Sequence, residues 1–138
     1  MNGYLLDTHA WLWAQQRNTK EMSARLFAQV ESWQAADEVY LSAISILEVA
    51  RLVSYGQLDL GMSVDDFVQE STRDGGFQLL PLSTRVLIES TRLPGDLHRD
   101  PSDRLLAATA REHSLTLVTR DRELLRYGRR GHLRVLAL

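Results

Sequence analysis

Short apolar segments alternate along the chain with helical patterns, and this alternation constrains the fold more than any other feature. The clearest apolar segment, residues 115–119, is too short for a buried helix and is bounded by polar residues. Between such segments, apolar residues recur at helical spacing, as at Met22, Leu26 and Val30. Strands separated by helices are typical of parallel sheets. We therefore expect an α/β fold in which helices cover both faces of a mostly parallel sheet of about four or five strands.

The same patterns predict where the elements lie. Strands are expected at 3–7, 38–42, 77–80, 115–119 and 133–136. Helices are expected at 8–15, 21–35, 45–55, 63–73, 83–92, 101–113 and 121–127. Ser45, three residues before Glu48, has the spacing of a capping box, and Asp100 before Pro101 is typical of a helix start.

Length and composition indicate one globular domain over residues 1–138. The chain has 44% apolar and 25% charged residues and no cysteine, which is average for a folded domain. No apolar run approaches the roughly 20 residues that span a bilayer, and no signal-peptide pattern is visible, so we expect a cytoplasmic protein with no membrane partner. The lack of cysteine excludes disulfides, thiolate-bound zinc and cysteine nucleophiles.

Charge is distributed unevenly along the chain. Residues 1–103 hold 8 Lys or Arg and 15 Asp or Glu, whereas residues 104–138 hold 8 Arg and 3 acids. A basic C-terminal quarter is compatible with nucleic-acid contact, with an acidic protein partner, or with a solvated helix face. Charge alone leaves these three interpretations open.

Four acids fall where α/β proteins place their sites. Asp7 ends the first predicted strand and Asp121 lies two residues beyond Thr119, while Glu48 and Asp103 lie in the first turns of helices. Sites in open α/β sheets form outside the carboxyl ends of the strands. An oxygen-only cluster favours Mg²⁺ or Mn²⁺ over zinc, and such an ion suits phosphodiester hydrolysis.

Each acid also has a purely structural explanation. Asp7 and Asp121 can cap the helices that follow them, and Glu48 can complete a capping box with Ser45. Asp103 can pair with a nearby arginine or favour a helix N-terminus. The joint placement of the four acids at one predicted edge is what favours a site.

Four segments that occur in order resemble a known family. They are Leu5-Leu6-Asp7-Thr8-His9-Ala10, then Ser42-Ala43-Ile44-Ser45 with Glu48, then His98-Arg99-Asp100-Pro101-Ser102-Asp103-Arg104-Leu105-Leu106, and finally Leu117-Val118-Thr119-Arg120-Asp121. Together they resemble PIN-domain ribonucleases, and specifically the VapC-like toxins of type II toxin–antitoxin pairs. The resemblance covers essentially the whole chain.

The resemblance implies a PIN-like three-layer α/β/α fold and an endoribonuclease that depends on Mg²⁺ or Mn²⁺. It matches Asp7, Glu48, Asp103 and Asp121 to the family's acidic quartet. In that role Asp7 is the main metal ligand, assisted by Asp103. Glu48 and Asp121 then bind a second ion or hold metal-bound waters.

Other residues around these motifs receive lesser roles. Thr8 and Thr119 are expected to hold the carboxylates in place by hydrogen bonds, although ordinary packing at strand ends explains them equally. We interpret Asp100 as a helix cap rather than a ligand. His9 is expected on a helix face and His98 on a loop, and neither is assigned to catalysis. The three tryptophans are expected in the core or at a dimer interface rather than stacked on bases; they are Trp11, Trp13 and Trp33.

The expected partners are RNA, a cognate VapB-like antitoxin and a second copy of the chain. The candidate contacts with RNA or antitoxin are Arg120, Arg122, Arg126, Arg129 and Arg130. Two other functions are considered: a nuclease acting on DNA, and a non-enzymatic receiver-like or binding module. A receiver requires a lysine near its acids, and the only lysine, Lys20, lies outside any predicted strand end.

Overall fold

The computed structural model of the protein describes residues 3–138, and its centre is a five-stranded parallel sheet. The strands are β1 (Tyr4–Leu6), β2 (Val39–Ser42), β3 (Gln78–Leu80), β4 (Thr116–Thr119) and β5 (Val135–Ala137). They lie in the order β3-β2-β1-β4-β5, and each of the four neighbouring pairs is parallel. The predicted α/β class and strand number are confirmed.

Helices connect the strands as predicted. They are α1 (Thr8–Gln15), α2 (Ala24–Ala35), α3 (Ala43–Ser54), α4 (Val64–Gln69), α5 (Thr84–Glu89), α6 (Pro101–Glu112) and α7 (Arg122–Arg129). A π-helical turn, Glu70–Asp74, continues α4. Within residues 3–138, none of the helices combines the length and the apolar character that crossing a membrane requires.

The sheet separates two apolar clusters, which makes the fold three-layered. On β1, Leu6 packs in the cluster with helices α1 to α4, whereas Leu5 packs in the cluster with α6 and α7. On β4, Val118 and Leu117 divide between the same two clusters. Because neighbouring residues of a strand point to opposite faces, this division places helices on both sides of the sheet. The expected α/β/α layering is confirmed.

The strand order excludes the receiver-like alternative. Receiver domains have the order 2-1-3-4-5, whereas β1 here is the middle strand, between β2 and β4. Strand β1, which Asp7 follows, and strand β4, which ends at Thr119, are therefore direct neighbours at the centre of the sheet.

The predicted cap of α3 is wrong. The helix begins at Ala43, and its cap is Ser42, whose hydroxyl accepts a hydrogen bond from the Ile44 amide at 3.1 Å. Strand β2 passes into α3 without a loop, so Ser45 lies inside the helix and is fully buried. The capping box with Glu48 does not form, and both side chains are free for tertiary contacts.

Two of the three tryptophans are core residues, as expected. Trp11 is fully buried, and its indole nitrogen donates to the Ser71 hydroxyl at 2.9 Å. Trp33 stacks on Tyr4 with ring centroids 3.8 Å apart. Trp13 is only half-buried, and the Arg120 guanidinium lies 4.3 Å from its ring centroid.

Candidate active site

The topology brings the four acids to one edge of the sheet. Asp7 follows β1, and Asp121 follows β4 by two residues. Helix α3, which carries Glu48, starts where β2 ends. Helix α6 precedes β4 and runs antiparallel to it, so its first turn, with Asp103, lies at the same edge. The carboxyl edge of the sheet is therefore acidic.

The Thr119 hydroxyl joins Asp7 to Asp121. It donates to Asp7 Oδ2 at 2.5 Å and accepts from the Asp121 amide at 3.0 Å. All of its hydrogen-bonding partners come from the two central strand ends, and Thr119 itself is fully buried. The predicted role of Thr119 in orienting a carboxylate agrees with this contact.

Asp7 caps a helix and also lies at the carboxyl edge of the sheet. Its Oδ1 accepts from the Ala10 amide at 2.8 Å and caps α1, as the structural explanation predicts. Burial raises the pKa of its carboxyl, and the hydrogen bonds from Thr119 and Ala10 and the charge of His9 oppose that rise. A buried carboxylate in this position is stabilised by positive charge.

Glu48 is linked to the strand edge through Thr8. The Thr8 hydroxyl donates to Glu48 Oε1 at 2.5 Å and lies 2.9 Å from the Ser45 hydroxyl, which can donate to it in turn. Thr8 follows Asp7 directly, so this chain of contacts positions Glu48 beside the main site. The role predicted for Thr8 agrees with this geometry, and Ser45 is a further member that the sequence patterns assigned only to a cap.

Asp103, Asp121 and His98 form a group of closely spaced ligand atoms. One ligand atom from each of these three side chains lies within 4.8 Å of the other two. His98 Nε2 lies 2.8 Å from Asp103 Oδ2. Among residues 3–138, neither Asp7 nor Glu48 belongs to a group this tight.

Like charges accumulate around Asp103. Burial, followed by the charges of Asp121 and Asp100, raises the pKa of Asp103 from 3.8 to about 6, and His98 lowers it only in part. A cation bound here would favour the charged form of this carboxyl against both its burial and the neighbouring acids. The site therefore has the electrostatics of a cation-binding cluster.

Sequence patterns did not assign His98 to this site. The segment turns sharply where Asp100 caps α6 through the Ser102 amide at 3.0 Å and Pro101 occupies the first turn. This turn folds His98 back over Asp103, five residues ahead in the chain. The signal available was a histidine directly before a capped helix with an acid in its first turn. The interpretation of Asp100 as a cap is confirmed.

A groove of about 460 Å³ opens from the acidic edge. It is lined by Thr8, His9, Glu48, Arg51, Leu52, Tyr55 and Gln57. Arg51 and Tyr55 are exposed, and Tyr55 keeps 68% of its surface accessible. The Arg51 guanidinium and the Tyr55 ring are therefore available to a ligand that reaches the acids. A larger cleft of about 600 Å³, which includes Arg111 and Arg134, lies at the opposite edge of the sheet.

The candidate arginines do not form one patch at the site. Arg120 lies near the acids, paired with Glu21 at 2.7 Å, and Arg126 pairs with Glu123 on the same helix at 2.7 Å. The five are Arg120, Arg122, Arg126, Arg129 and Arg130, and the last two lie at the far end of α7. Helix α7 is roughly 12 Å long, so these two arginines are about that distance from Asp121.

The donor set fits a divalent cation. Asp7, Glu48, Asp103 and Asp121 supply carboxylate oxygens, the ligands that Mg²⁺ and Mn²⁺ prefer. Burial is the main cause that raises the pKa of Asp7 and of Asp103, and neighbouring carboxylates add to it, so a bound cation would favour their charged forms. A cation bound by acids of this kind can position a phosphodiester and a water for hydrolysis.

Comparisons with known proteins identify the family of the chain. A family model described as PIN domain matches residues 4–130. Ribonuclease VapC22 of Mycobacterium tuberculosis (strain ATCC 25618 / H37Rv) is 32% identical over 125 residues, which cover 90% of this chain and 91% of that protein.

Solved structures extend the likeness to the fold. FitAcB from Neisseria gonorrhoeae is 26% identical, with a TM-score of 0.66 and 96% of each chain covered. DNA-bound VapBC from Salmonella typhimurium is 17% identical, with a TM-score of 0.70, covering 99% of this chain and 98% of that one. Because the family model spans most of the chain and a relative matches 90% of it, the chain belongs to the PIN domain family, in its VapC-like branch.

Proposed function

We propose that the protein is a metal-dependent endoribonuclease that acts as the toxin of a toxin–antitoxin pair. The observation that carries the proposal is the convergence of Asp7, Asp103 and Asp121 at the carboxyl edge of the central strands, with Glu48 held beside them. The kinship with Ribonuclease VapC22 supports RNA as the substrate. The cofactor is Mg²⁺ or Mn²⁺.

Asp7, Asp103 and Asp121 are the proposed ligands of the ion, with Glu48 holding a second ion or a water nearby. When bound, the ion lowers the pKa of water and stabilises negative charge on a phosphoryl oxygen. Asp7 keeps one oxygen on the Ala10 amide and the other on Thr119. These contacts fix the carboxylate before substrate arrives, which reduces the reorganisation needed for catalysis.

Thr8 and Thr119 are positioning residues in this proposal. Thr119 holds Asp7, and Thr8 holds Glu48, each through a hydrogen bond of 2.5 Å. A hydroxyl that donates to a carboxylate stabilises its charged form. Both threonines therefore favour the ionised acids that bind a cation.

The groove beside Glu48 is the proposed path of the RNA strand. The Arg51 guanidinium can bind a backbone phosphate, and the exposed ring of Tyr55 can stack on a base. Unpaired bases are accessible to such contacts, so single-stranded loops are the expected targets.

The proposed partners are a VapB-like antitoxin and a second copy of the chain. A neutralising segment that covers the acids must cross the same groove, where it would compete with RNA. Helices α3 and α5 leave Leu47, Leu87 and Ile88 about half exposed, and apolar side chains of this kind are common at dimer interfaces. Light scattering measures the molar mass of the purified protein and so tests the proposed dimer.

Cleavage of a mixed RNA pool tests the proposed activity. Wild type and Asp7→Asn, purified free of any partner, are compared with Mg²⁺, with Mn²⁺ and with EDTA, and single-stranded DNA is the substrate control. We expect RNA cleavage by wild type with either metal, and none with EDTA or with Asp7→Asn. Cleavage by the folded variant at the parent rate would remove Asp7 from the mechanism. Cleavage of DNA in preference to RNA would overturn the assigned substrate.

A further inference from the structure

Within residues 3–138, His98 is the one member of the group of close ligand atoms at the acidic edge that is not an acid. Its Nε2 is buried and makes no aligned hydrogen bond, although it lies 2.8 Å from Asp103 Oδ2. Buried polar atoms without an aligned hydrogen bond are rare, because leaving such an atom unpaired is destabilising. A metal ion beside both atoms would give this nitrogen the aligned contact that Asp103 does not provide.

The spacing of the three side chains matches neighbouring positions around one metal ion. In an octahedral site with ligands about 2.1 Å from the metal, adjacent ligand atoms are roughly 3.0 Å apart and opposite ones roughly 4.2 Å. The separation of His98 Nε2 from Asp103 Oδ2 is 2.8 Å. Ligand atoms of His98, Asp103 and Asp121 all lie within 4.8 Å of one another. The distance of 2.8 Å suits adjacent positions around one ion, and the limit of 4.8 Å allows the Asp121 oxygen to join them after small side-chain movements.

The imidazole can present a lone pair at Nε2. Neutral histidine carries its proton on only one nitrogen, so ligation through Nε2 places the proton on Nδ1. The His98 side chain is 34% exposed although Nε2 is buried, so the remainder of the ring has access to solvent.

We propose that His98 binds the catalytic ion through Nε2, together with Asp103 and Asp121. The inference rests on the proposed function, because that function supplies the ion. It replaces the oxygen-only site expected from the sequence with a mixed nitrogen and oxygen site. Imidazole prefers later transition metals, whereas carboxylate and water suit Mg²⁺, Ca²⁺ and Mn²⁺. His98 therefore shifts the selectivity of the site toward ions such as Ni²⁺.

The alternative role for His98 is to position Asp103 by donating a hydrogen bond to it. A positioning role changes metal affinity without putting nitrogen on the metal. His98→Gln separates the two roles, because the glutamine amide can still donate to Asp103. His9→Gln is the matched control, since His9 lies near Asp7 but outside the group of close ligand atoms.

The first measurement is pulsed electron paramagnetic resonance of Mn²⁺ bound to the full chain. Wild type should show the coupling of a directly bound ¹⁴N nucleus, His9→Gln should keep it, and His98→Gln should lose it. Labelling wild type with ¹⁵N-histidine should change the coupling pattern, which provides a readout independent of any variant. Bound Mn²⁺ without nitrogen coupling in wild type would overturn His98 ligation and leave the metal site intact.

The second measurement is the affinity for Ni²⁺ relative to Mg²⁺, by calorimetry. Loss of a ligand should lower the Ni²⁺ to Mg²⁺ affinity ratio at least about tenfold in His98→Gln, with no change in His9→Gln. An unchanged ratio in folded His98→Gln would assign His98 to positioning only. Failure of wild type to bind Mn²⁺, Mg²⁺ or Ni²⁺ would overturn both this inference and the metal dependence of the proposed function.

Discussion

A carboxylate has two oxygens, and at Asp7 each has its own partner. Oδ1 caps α1 through the Ala10 amide, while Oδ2 faces Thr119 across the strand end. Asp121 likewise caps α7 through the Leu124 amide and also lies in the group with Asp103. The cap and the site are therefore not competing explanations, because capping leaves lone pairs on the same carboxylate for a cation.

The placement of these acids was predictable because each follows a strand or opens a helix, and such positions are visible in sequence patterns. The contribution of His98 to the site was not predictable, because it depends on how tightly the loop before α6 turns. Loop geometry of this kind results from tertiary contacts, including the Arg104 guanidinium, which donates to the Leu97 carbonyl at 2.8 Å. The local pattern of apolar residues in the sequence carries no information about such a contact.

Asp103→Asn should stabilise the metal-free protein near pH 8. The raised pKa of Asp103, about 6 against an ordinary 3.8, means that its charged form is disfavoured in the folded chain. Its contribution to stability is therefore complete below pH 3.8 and is lost as pH rises through about 6. Removing the charge should raise the free energy of unfolding by about 1–3 kcal/mol at pH 8 and change it little near pH 4.

Urea unfolding in EDTA at the two pH values measures this difference. Adding Mg²⁺ should then raise the stability of wild type, by about 2.7 kcal/mol at a hundred times the dissociation constant, but not that of Asp103→Asn. A variant that is less stable than wild type at pH 8 in EDTA would contradict the repulsion assigned to Asp103.

The capping residues of three helices lie within two residues of a strand end, and these short connections assemble the site. Asp7 separates β1 from α1, Ser42 ends β2 and caps α3, and Asp121 caps α7 two residues after β4. The order and type of these elements followed from apolar periodicity. The start of α3 could not be predicted in this way, because no turn residue marks the point at which the strand passes into the helix.

Thr119→Val should disconnect the two central strand ends while keeping the shape of the side chain. The variant loses the hydrogen bond to Asp7 and leaves the Asp121 amide without its acceptor. Leaving such groups unpaired costs about 1–3 kcal/mol of stability, and metal affinity should fall because Asp7 is no longer oriented. Unfolding curves and Mg²⁺ titrations measure the two effects.

Thr119→Ser is the matched control, because it keeps the hydroxyl and loses only a methyl group. It should retain most of the metal affinity that valine removes. Equal loss of metal affinity in Thr119→Ser and Thr119→Val would assign the effect to packing of the buried methyl rather than to the hydrogen bonds.

At the scale of the whole molecule, the four candidate acids and the arginines of α7 occupy different positions relative to the sheet. The acids occupy the carboxyl edge of the sheet, and α7 carries arginines from that edge toward the opposite one. The uneven charge of the two chain segments was evident from the sequence, but its arrangement along α7 was not, since it depends on the direction in which the helix runs. A long polyanion that reaches the acids can extend along this helix.

Charge reversal at Arg126, Arg129 and Arg130 should weaken binding of a single-stranded RNA pool and reduce its dependence on salt. Each phosphate contact that is lost lowers the magnitude of the salt slope by about one. Reversal of Arg17 and Arg25, exposed residues on the α1–α2 side, is the control. Unchanged affinity for both RNA and the cognate antitoxin would show that the α7 arginines bind neither and only form a solvated helix face.

Anomalous scattering from crystals grown with Mn²⁺ shows whether the converging acids hold an ion. The proposed site places a peak in contact with the carboxylates of Asp103 and Asp121, close to Asp7, and absent in Asp103→Asn. A wild-type protein that cleaves RNA yet shows no peak at this edge, or a peak elsewhere only, would contradict the conclusion that these acids form a metal-dependent nuclease centre.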